Sequence, residues 1–428
     1  MAQAFLQAGR WISGVLAVIF ATLMPLRVMA EPKEAGRNVV ETGGLDIKSG
    51  FARLGNYFRT NRQPKAPRCN EHMRGSIYAN HEGEPFVCLR RQMGSVNGIV
   101  YAMASDRKGN FYVGGEFSFA GNAQAANVAK WDGSKWSALG AGTSGPVYAI
   151  AIGEGGEVYV GGAFPSAGGV DVGGVGRWDG KNWTALDQGV GGSVQALAVS
   201  KDGSVYAGGN FAVASGVGAS RIAKWDGSKW SGLGQGVNNV VYALVVGTDH
   251  QLVVGGTFTQ AGGKSALRVA TWDGAQWQAI GSGFDNTVFS LVRDDAGAFV
   301  AGGSFHSSGA DACLGVAKWS AGSWQKIGSG IVGTVRALML ATKGELIAGG
   351  DFESAPNIES GRIARWDGKT WQQLGSGIDS GDVLALATGP SEQVYIGGSF
   401  SGRLAAYADG KWSLPSRFSW MTLVSGPH

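Results

Sequence analysis

The chain is poor in the residues that usually carry chemistry. Three cysteines in 428 residues cannot frame a disulfide-rich fold. Five histidines, at His72, His81, His250, His306 and His428, lie too far apart for the close ligand sets of tetrahedral metal sites. The nearest approach is His306, Asp311 and Cys313 in one short segment. Three donors without a fourth make a weak site, and neither a metal nor a cofactor is expected. Charge is balanced, 36 Lys and Arg against 32 Asp and Glu, which argues against a nucleic-acid partner. No uninterrupted apolar run reaches the ~20 residues that span a bilayer.

What is abundant is glycine in register with aromatics. A stretch reading roughly Val-Tyr-Val-Gly-Gly-x-Phe, about a dozen variable residues, then Trp-Asp-Gly-x-x-Trp-x-x-Leu-Gly recurs along the chain. The Gly-Gly pairs begin at Gly114, Gly161, Gly208, Gly255, Gly302, Gly349 and Gly397, a step of 47 residues five times and 48 once. Such spacing marks side-by-side copies of one supersecondary unit.

Ahead of the repeats lie two different segments. Arg10, an apolar run from Trp11 to Leu26 broken by Ser13, Gly14 and Pro25, and the small-residue ending Val28-Met29-Ala30 have the layout of a cleavable export signal. Residues 1–30 are therefore read as a signal peptide, and the mature protein is expected to be secreted, periplasmic or at the cell surface. Loss of Arg10 and Arg27 takes the formal net charge from +4 to +2.

Residues 31–75 form a basic segment with a candidate strand over 38–44 and a candidate helix over 46–61. Ile47, Phe51, Leu54 and Phe58 recur there at helical spacing, with Lys48, Arg53 and Arg59 off the stripe. Such a helix either docks on the body or makes peripheral contact with an anionic membrane or envelope polymer. Export permits disulfides, and a Cys69 to Cys88 bridge is predicted across one short segment.

The unit from Val147 to Leu186 shows the local logic. Val147-Tyr148-Ala149-Ile150-Ala151-Ile152 is a nearly continuous apolar run, suited to a strand buried on both faces. In Val158-Tyr159-Val160-Gly161-Gly162 the glycines allow close approach of a neighbour. Val175 to Trp178 and Trp183 to Leu186 read as two short strands joined by an Asp179-Gly180 hairpin turn. Each unit is thus a four-stranded meander, unable to cover its own sheet, and radial packing of copies gives an all-β propeller. Thirteen of the fifteen tryptophans occupy the two Trp positions of the repeat, which assigns them to the core between blades. Burial of one such ring contributes roughly 2 to 4 kcal/mol.

The Gly-Gly doublet, the following aromatic strand and the closing Trp resemble the kelch family of propellers. More narrowly, the repeats resemble those of secreted bacterial propellers akin to the fungal cortical protein Rax2 and the central domain of galactose oxidase. The resemblance covers residues 99–414 and implies a fold, since such propellers carry many unrelated activities. The paired Cys and Tyr and the His ligands of galactose-oxidase copper chemistry have no aligned counterpart here.

Seven meanders run from Ile99 to Leu414, and fragments at both ends suggest an eighth. Ser76 to Ala79 and Phe86 to Leu89 read as its third and fourth strands, and Trp420 to Pro427 lines up with the inner strand Val383 to Pro390. Eight blades, with the propeller filling 76–428 and both chain ends sharing the closing blade, are the preferred reading. Seven blades are the alternative.

Chain direction puts the variable segments on one face, where rigid scaffolds usually carry function. Candidate binding positions there are Phe119, Asn127, Asp171, Lys264, His306, Asp311, Glu353 and Asn357. The Asp-Gly turns, including Asp132, Asp179 and Asp226, are explained by turn chemistry, and no catalytic residue is assigned. The expected function is an exported, non-catalytic scaffold that binds a protein or glycan of the envelope. An extracellular carbohydrate-active or other enzyme with its site at the central channel, and a structural subunit of an envelope assembly, are the alternatives.

Overall fold

The computed structural model describes residues 77–79, 85–87 and 94–413, apart from 107, 248–250, 295, 342–343, 355–360 and 390–392; of 77–79, 85–87 and 353–354 it describes only the backbone. The chain divides into two compact units, Met1–Arg91 with Thr422–His428, and Gln92–Met421. In the first, Ile77–Ala79 pairs with Pro85–Val87 in a two-stranded sheet. The strand and helix expected at 38–61, the Cys69 to Cys88 bridge and the strand at 420–427 lie outside the described residues.

The second unit is a ring of seven four-stranded antiparallel blades, and the described residues contain no helix. In the second blade the chain passes from the inner strand Val147–Ile152 through Val158–Gly162 and Val175–Trp178 to the outer strand Trp183–Ala185, each pairing with the next. The other blades repeat this order, the first starting at Ile99 and the last ending at Ser413.

The Gly-Gly doublet has a double cause. A Cβ on the first glycine would collide with the next blade: on Gly161 it would stand 2.5 Å from Val194 Cγ1. A Cβ on the second would strike its own inner strand, 2.1 Å from the Pro146 carbonyl oxygen in the case of Gly162. Opposite every doublet the inner strand bulges by one residue. The chains therefore approach more closely there than any side chain would permit.

The second tryptophan of each unit joins neighbouring blades by a hydrogen bond as well as by packing. Trp183, Trp230 and Trp277 donate their indole N–H to the main-chain oxygens of Leu139, Leu186 and Leu233, each at 2.7 Å. Its partner tryptophan on the third strand packs across the hairpin, with ring centroids 5.3 Å apart for Trp178 and Trp183.

The ring closes with seven blades, which corrects the preferred expectation of eight. The inner strand Val383–Thr388 packs directly on Ile99–Ser105. Val100 and Met103 fill the space beside Gly397, and the Phe111 ring lies 4.8 Å from that of Tyr395. This joint repeats those between consecutive blades, and it leaves no gap for another. The linker that would follow a preceding outer strand is supplied from the N-terminal side, where the Gly94 oxygen accepts from Trp136 Nε1 at 2.8 Å.

Candidate functional site

Inner strands run away from one face of the ring and second strands return to it. The variable segments and blade links therefore share that face, and the inner-strand turns and Asp-Gly turns share the other. Most variable segments are built as small β-ribbons over the outer strands: Phe119–Ala120 with Ala123–Gln124, Ser166–Ala167 with Val170–Asp171, Gln260–Ala261 with Lys264–Ser265, and Ser307–Ser308 with Asp311–Ala312. In the third blade the second strand itself extends to Ala214 and pairs with Val217–Gly218.

These ribbons carry an unusual surface. Among the described residues the large hydrophobic side chains left exposed are Phe119, Val170, Val213, Val217, Leu267 and Val332, and all six lie on this face. The opposite face is closed by polar turns. There the Oδ1 of Asp226 accepts from the backbone N–H of Ser228 and Lys229, each at 2.9 Å, and Gly227 takes φ 102°. Those hydrogen bonds hold the Asp226 carboxyl down at about 2. Asp132, Asp179, Asp273 and Asp367 make the same turn, so their carboxylates are occupied in shaping the hairpins.

The candidate positions fall into different settings. Phe119 is 45% exposed and its N–H is held by Asn97 Oδ1 at 2.9 Å, which fixes the ribbon to the blade link. Asp171, Lys264, His306 and Asp311 are exposed on or beside the ribbons of the second, fourth and fifth blades, the last two sharing one ribbon. Asn127 is turned to structure: at φ 65° its side chain accepts from Phe117 N at 3.2 Å and donates to the Thr143 oxygen at 2.9 Å. Cys313 is fully buried among Phe305, Phe284 and Trp324, away from exposed His306 and Asp311, and burial pushes its thiol pKa up. The Glu353 side chain and Asn357 lie outside the described residues.

Two sets of residues escaped the sequence reading. The first is made by the bulges. Each inner strand reads Val-x-Ala or Val-x-Ser, and the unpaired x is Tyr101, Tyr148, Gln195, Tyr242, Phe289, Arg336 or Leu384. Apart from half-exposed Ser290 the flanking residues are buried between blades, whereas these seven are half-exposed, so they form a collar around the channel at its loop-face mouth. The inner strands were expected to be buried on both faces; the bulge turns one side chain of each into the channel instead. Around the collar Tyr101 meets Tyr148 edge-on at 5.3 Å, Tyr242 meets Phe289 at 5.3 Å, and the Arg336 guanidinium lies 4.3 Å from the Phe289 ring centre. Burial, and then the Glu116 carboxylate, keep the Tyr101 and Tyr148 hydroxyls protonated above the usual tyrosine range.

The second set stands just before the third strands. Asn127, Arg221, Arg268, Arg362 and Arg403 take φ between 62° and 70°, and Gly174 and Gly315 fill the same place in the other two blades. The arginine side chains brace the turn after Gly-Gly: Arg221 reaches Asn210 Oδ1 at 2.7 Å, Arg268 and Arg403 cap the Thr257 and Ser399 oxygens, and Arg362 pairs with Asp351 at 2.6 Å and Asp382 at 3.7 Å. The signal available in the sequence was an Arg before the third strand in four of the seven repeats, as in Arg221-Ile222-Ala223-Lys224-Trp225. Among the described residues no three His, Cys, Asp or Glu side chains converge on a metal-sized site.

A rigid seven-bladed ring with a ribboned, partly apolar face and an aromatic channel mouth defines the class as a β-propeller. A family model, the Rax2 C-terminal beta propeller domain, matches residues 138–290 and 276–425, and the chain belongs to that family. No curated protein matches the chain. Among solved structures it is similar to the extracellular domain of BT4673 from B. thetaiotaomicron, with TM-score 0.52 and 13% identity over 74% of this chain and 40% of that one. The extracellular domain of BT3049 from B. thetaiotaomicron gives TM-score 0.51 and 11% identity over the same shares. The WD40 beta propeller domain of Doa1 gives 0.50 and 13% identity over 76% of this chain and 95% of that one. At such identities the likeness is one of fold.

Proposed function

We propose that this protein is an exported, non-catalytic propeller that binds a protein partner through its loop-rich face. The observation that carries the reading is the segregation of exposed apolar side chains, Phe119, Val170, Val213, Val217, Leu267 and Val332, on that one face. Exposed apolar surface gathered in this way marks an interaction site. The composition around it agrees: tyrosine, phenylalanine and arginine surround the channel mouth and Lys264 is the lone lysine of the ribbons, a balance like that of protein interfaces. Export rests on the layout of residues 1–30 and places the partner in the periplasm or at the cell surface.

Affinity purification of the full chain from its native envelope tests this, set against a variant with Phe119→Asp, Val213→Asp and Val217→Asp. Proteins recovered with the parent and lost with the variant are the expected result. Equal recovery with both, or recovery of a carbohydrate in place of a protein, overturns it.

A further inference from the structure

The collar at the channel mouth is not uniform. Six of its positions are aromatic, aliphatic or amide; the remaining one is Arg336, in the sixth blade. Its guanidinium is held against the Phe289 face at 4.3 Å, and Phe289 is in turn backed by Tyr242. The Nε of Arg336 is buried without a hydrogen-bond partner, as are those of Arg177, Arg268 and Arg365; whereas those three side chains are held by Glu157, the Thr257 oxygen and Glu345, among the described residues no carboxylate pairs with Arg336. Arg362, on the same face, is by contrast already neutralised by Asp351 and Asp382. A planar cation, fixed in direction by an aromatic ring and left with free donors, is shaped for two-point recognition of a carboxylate.

We propose that Arg336 is the anchor of a carboxylate-binding site at the channel mouth, and that its occupant is an Asp or Glu side chain on a loop of the partner protein, inserted beside the Tyr242 and Phe289 rings. The inference rests on the protein-binding reading of this face and names the chemistry at its centre. A peptide fits better than an acidic sugar for two reasons. The exposed large hydrophobic side chains of the same face are mostly branched aliphatic, Val332 four positions before Arg336 on the same strand among them, which suits side chains better than sugar hydroxyls. The collar rings are tilted against one another, 68° for Tyr101 and Tyr148 and 52° for Tyr242 and Phe289, so they do not present the flat platform on which a pyranose stacks.

The test uses the full chain and a labelled peptide, acetyl-Phe-Glu-Phe-amide, with binding followed by fluorescence polarisation. The Gln analogue of that peptide, galacturonate oligomers and inorganic phosphate serve as competitors. The Glu peptide is expected to bind at least ten-fold more tightly than its Gln analogue, and Arg336→Gln to erase that difference. Arg336→Lys should retain part of it, and Arg365→Gln on the third strand of the same blade should change nothing; circular dichroism confirms that each variant is folded. Absence of peptide binding, equal binding of the Glu and Gln peptides, or a preference unchanged in Arg336→Gln overturns the site. Displacement by galacturonate or phosphate at lower concentration than by the peptide rejects the peptide as occupant. The triple Asp variant of the ribbons separates the two proposals: loss of partner capture with the Glu preference intact upholds both, whereas unchanged capture sinks the functional reading even where the carboxylate site stands.

Discussion

Val100 of the first blade fills the space beside Gly397 of the last: a Cβ on Gly397 would stand 2.5 Å from Val100 Cγ1. Gly255 and Val288, in the middle of the ring, stand in the same relation at 2.6 Å. The closing joint is thus built like the internal ones although its two blades are the first and the last in chain order. Gly397→Ala should cost about 1–3 kcal/mol through overpacking, within about 1 kcal/mol of Gly255→Ala. Urea unfolding of both variants measures this, and a neutral Gly397→Ala beside a destabilising Gly255→Ala would mean that the first and last blades do not touch.

The indole hydrogen bonds should be worth more to the fold than their number suggests, because each serves a carbonyl at a buried blade joint. Trp230, 3% exposed, donates to the Leu186 oxygen at 2.7 Å. Trp230→Phe keeps much of the ring but leaves that oxygen with the Gly189 N–H alone, at 3.1 Å, a loss of about 0.5–1.5 kcal/mol beyond the change in ring size. Thermal unfolding beside Trp277→Phe, whose joint is built alike, should show matching decreases.

Acid should loosen the turns on the face opposite the ribbons. The Ser200 hydroxyl and the Ser204 N–H bring Asp202 down to about 2, and the N–H groups of Lys229 and Ser228 do the same for Asp226. An ordinary unfolded Asp titrates near ~3.9, so the folded state favours the ionised form. Its contribution is complete above about pH 4 and is lost as the pH falls toward about 2. Denaturation midpoints measured from pH 5 to pH 2 should decline in that window, and Asp202→Asn should flatten the decline while lowering stability at pH 5.

Much of the ring is legible in the sequence because its strongest determinants are local and repeated. Gly161-Gly162, Asp179-Gly180 and Trp183 each report a contact that recurs at fixed spacing. The number of blades is harder to read, since the likeness of Trp420–Pro427 to Val383–Pro390 reports the capacity to form a strand and not the partner it meets. That choice is made by the fit of Val100 and Met103 against Gly397, between residues at opposite ends of the ring. The channel collar is hidden for a different reason. Tyr148 lies in an apolar run, and only the bulge opposite Gly161-Gly162 turns it out of the core. Chain direction groups the variable segments on one face, but the apolar character of Val213 and Val217 reads as core until the strands are seen to end in solvent.

Arg221 shows how a local rule is broken on this face. It sits at φ 70°, a backbone region that disfavours side chains by about 1 kcal/mol or more, where Gly174 and Gly315 serve in other blades. Its visible compensation is one exposed hydrogen bond to Asn210 Oδ1 at 2.7 Å. Arg221→Ala loses that bond and keeps the strain; Arg221→Gly loses it and relieves the strain. The glycine variant should therefore exceed the alanine variant by about 1 kcal/mol and lie within about 0.5 kcal/mol of the parent in urea unfolding. A glycine variant less stable than the alanine one would show that the side chain at this position, and not its backbone, governs the turn.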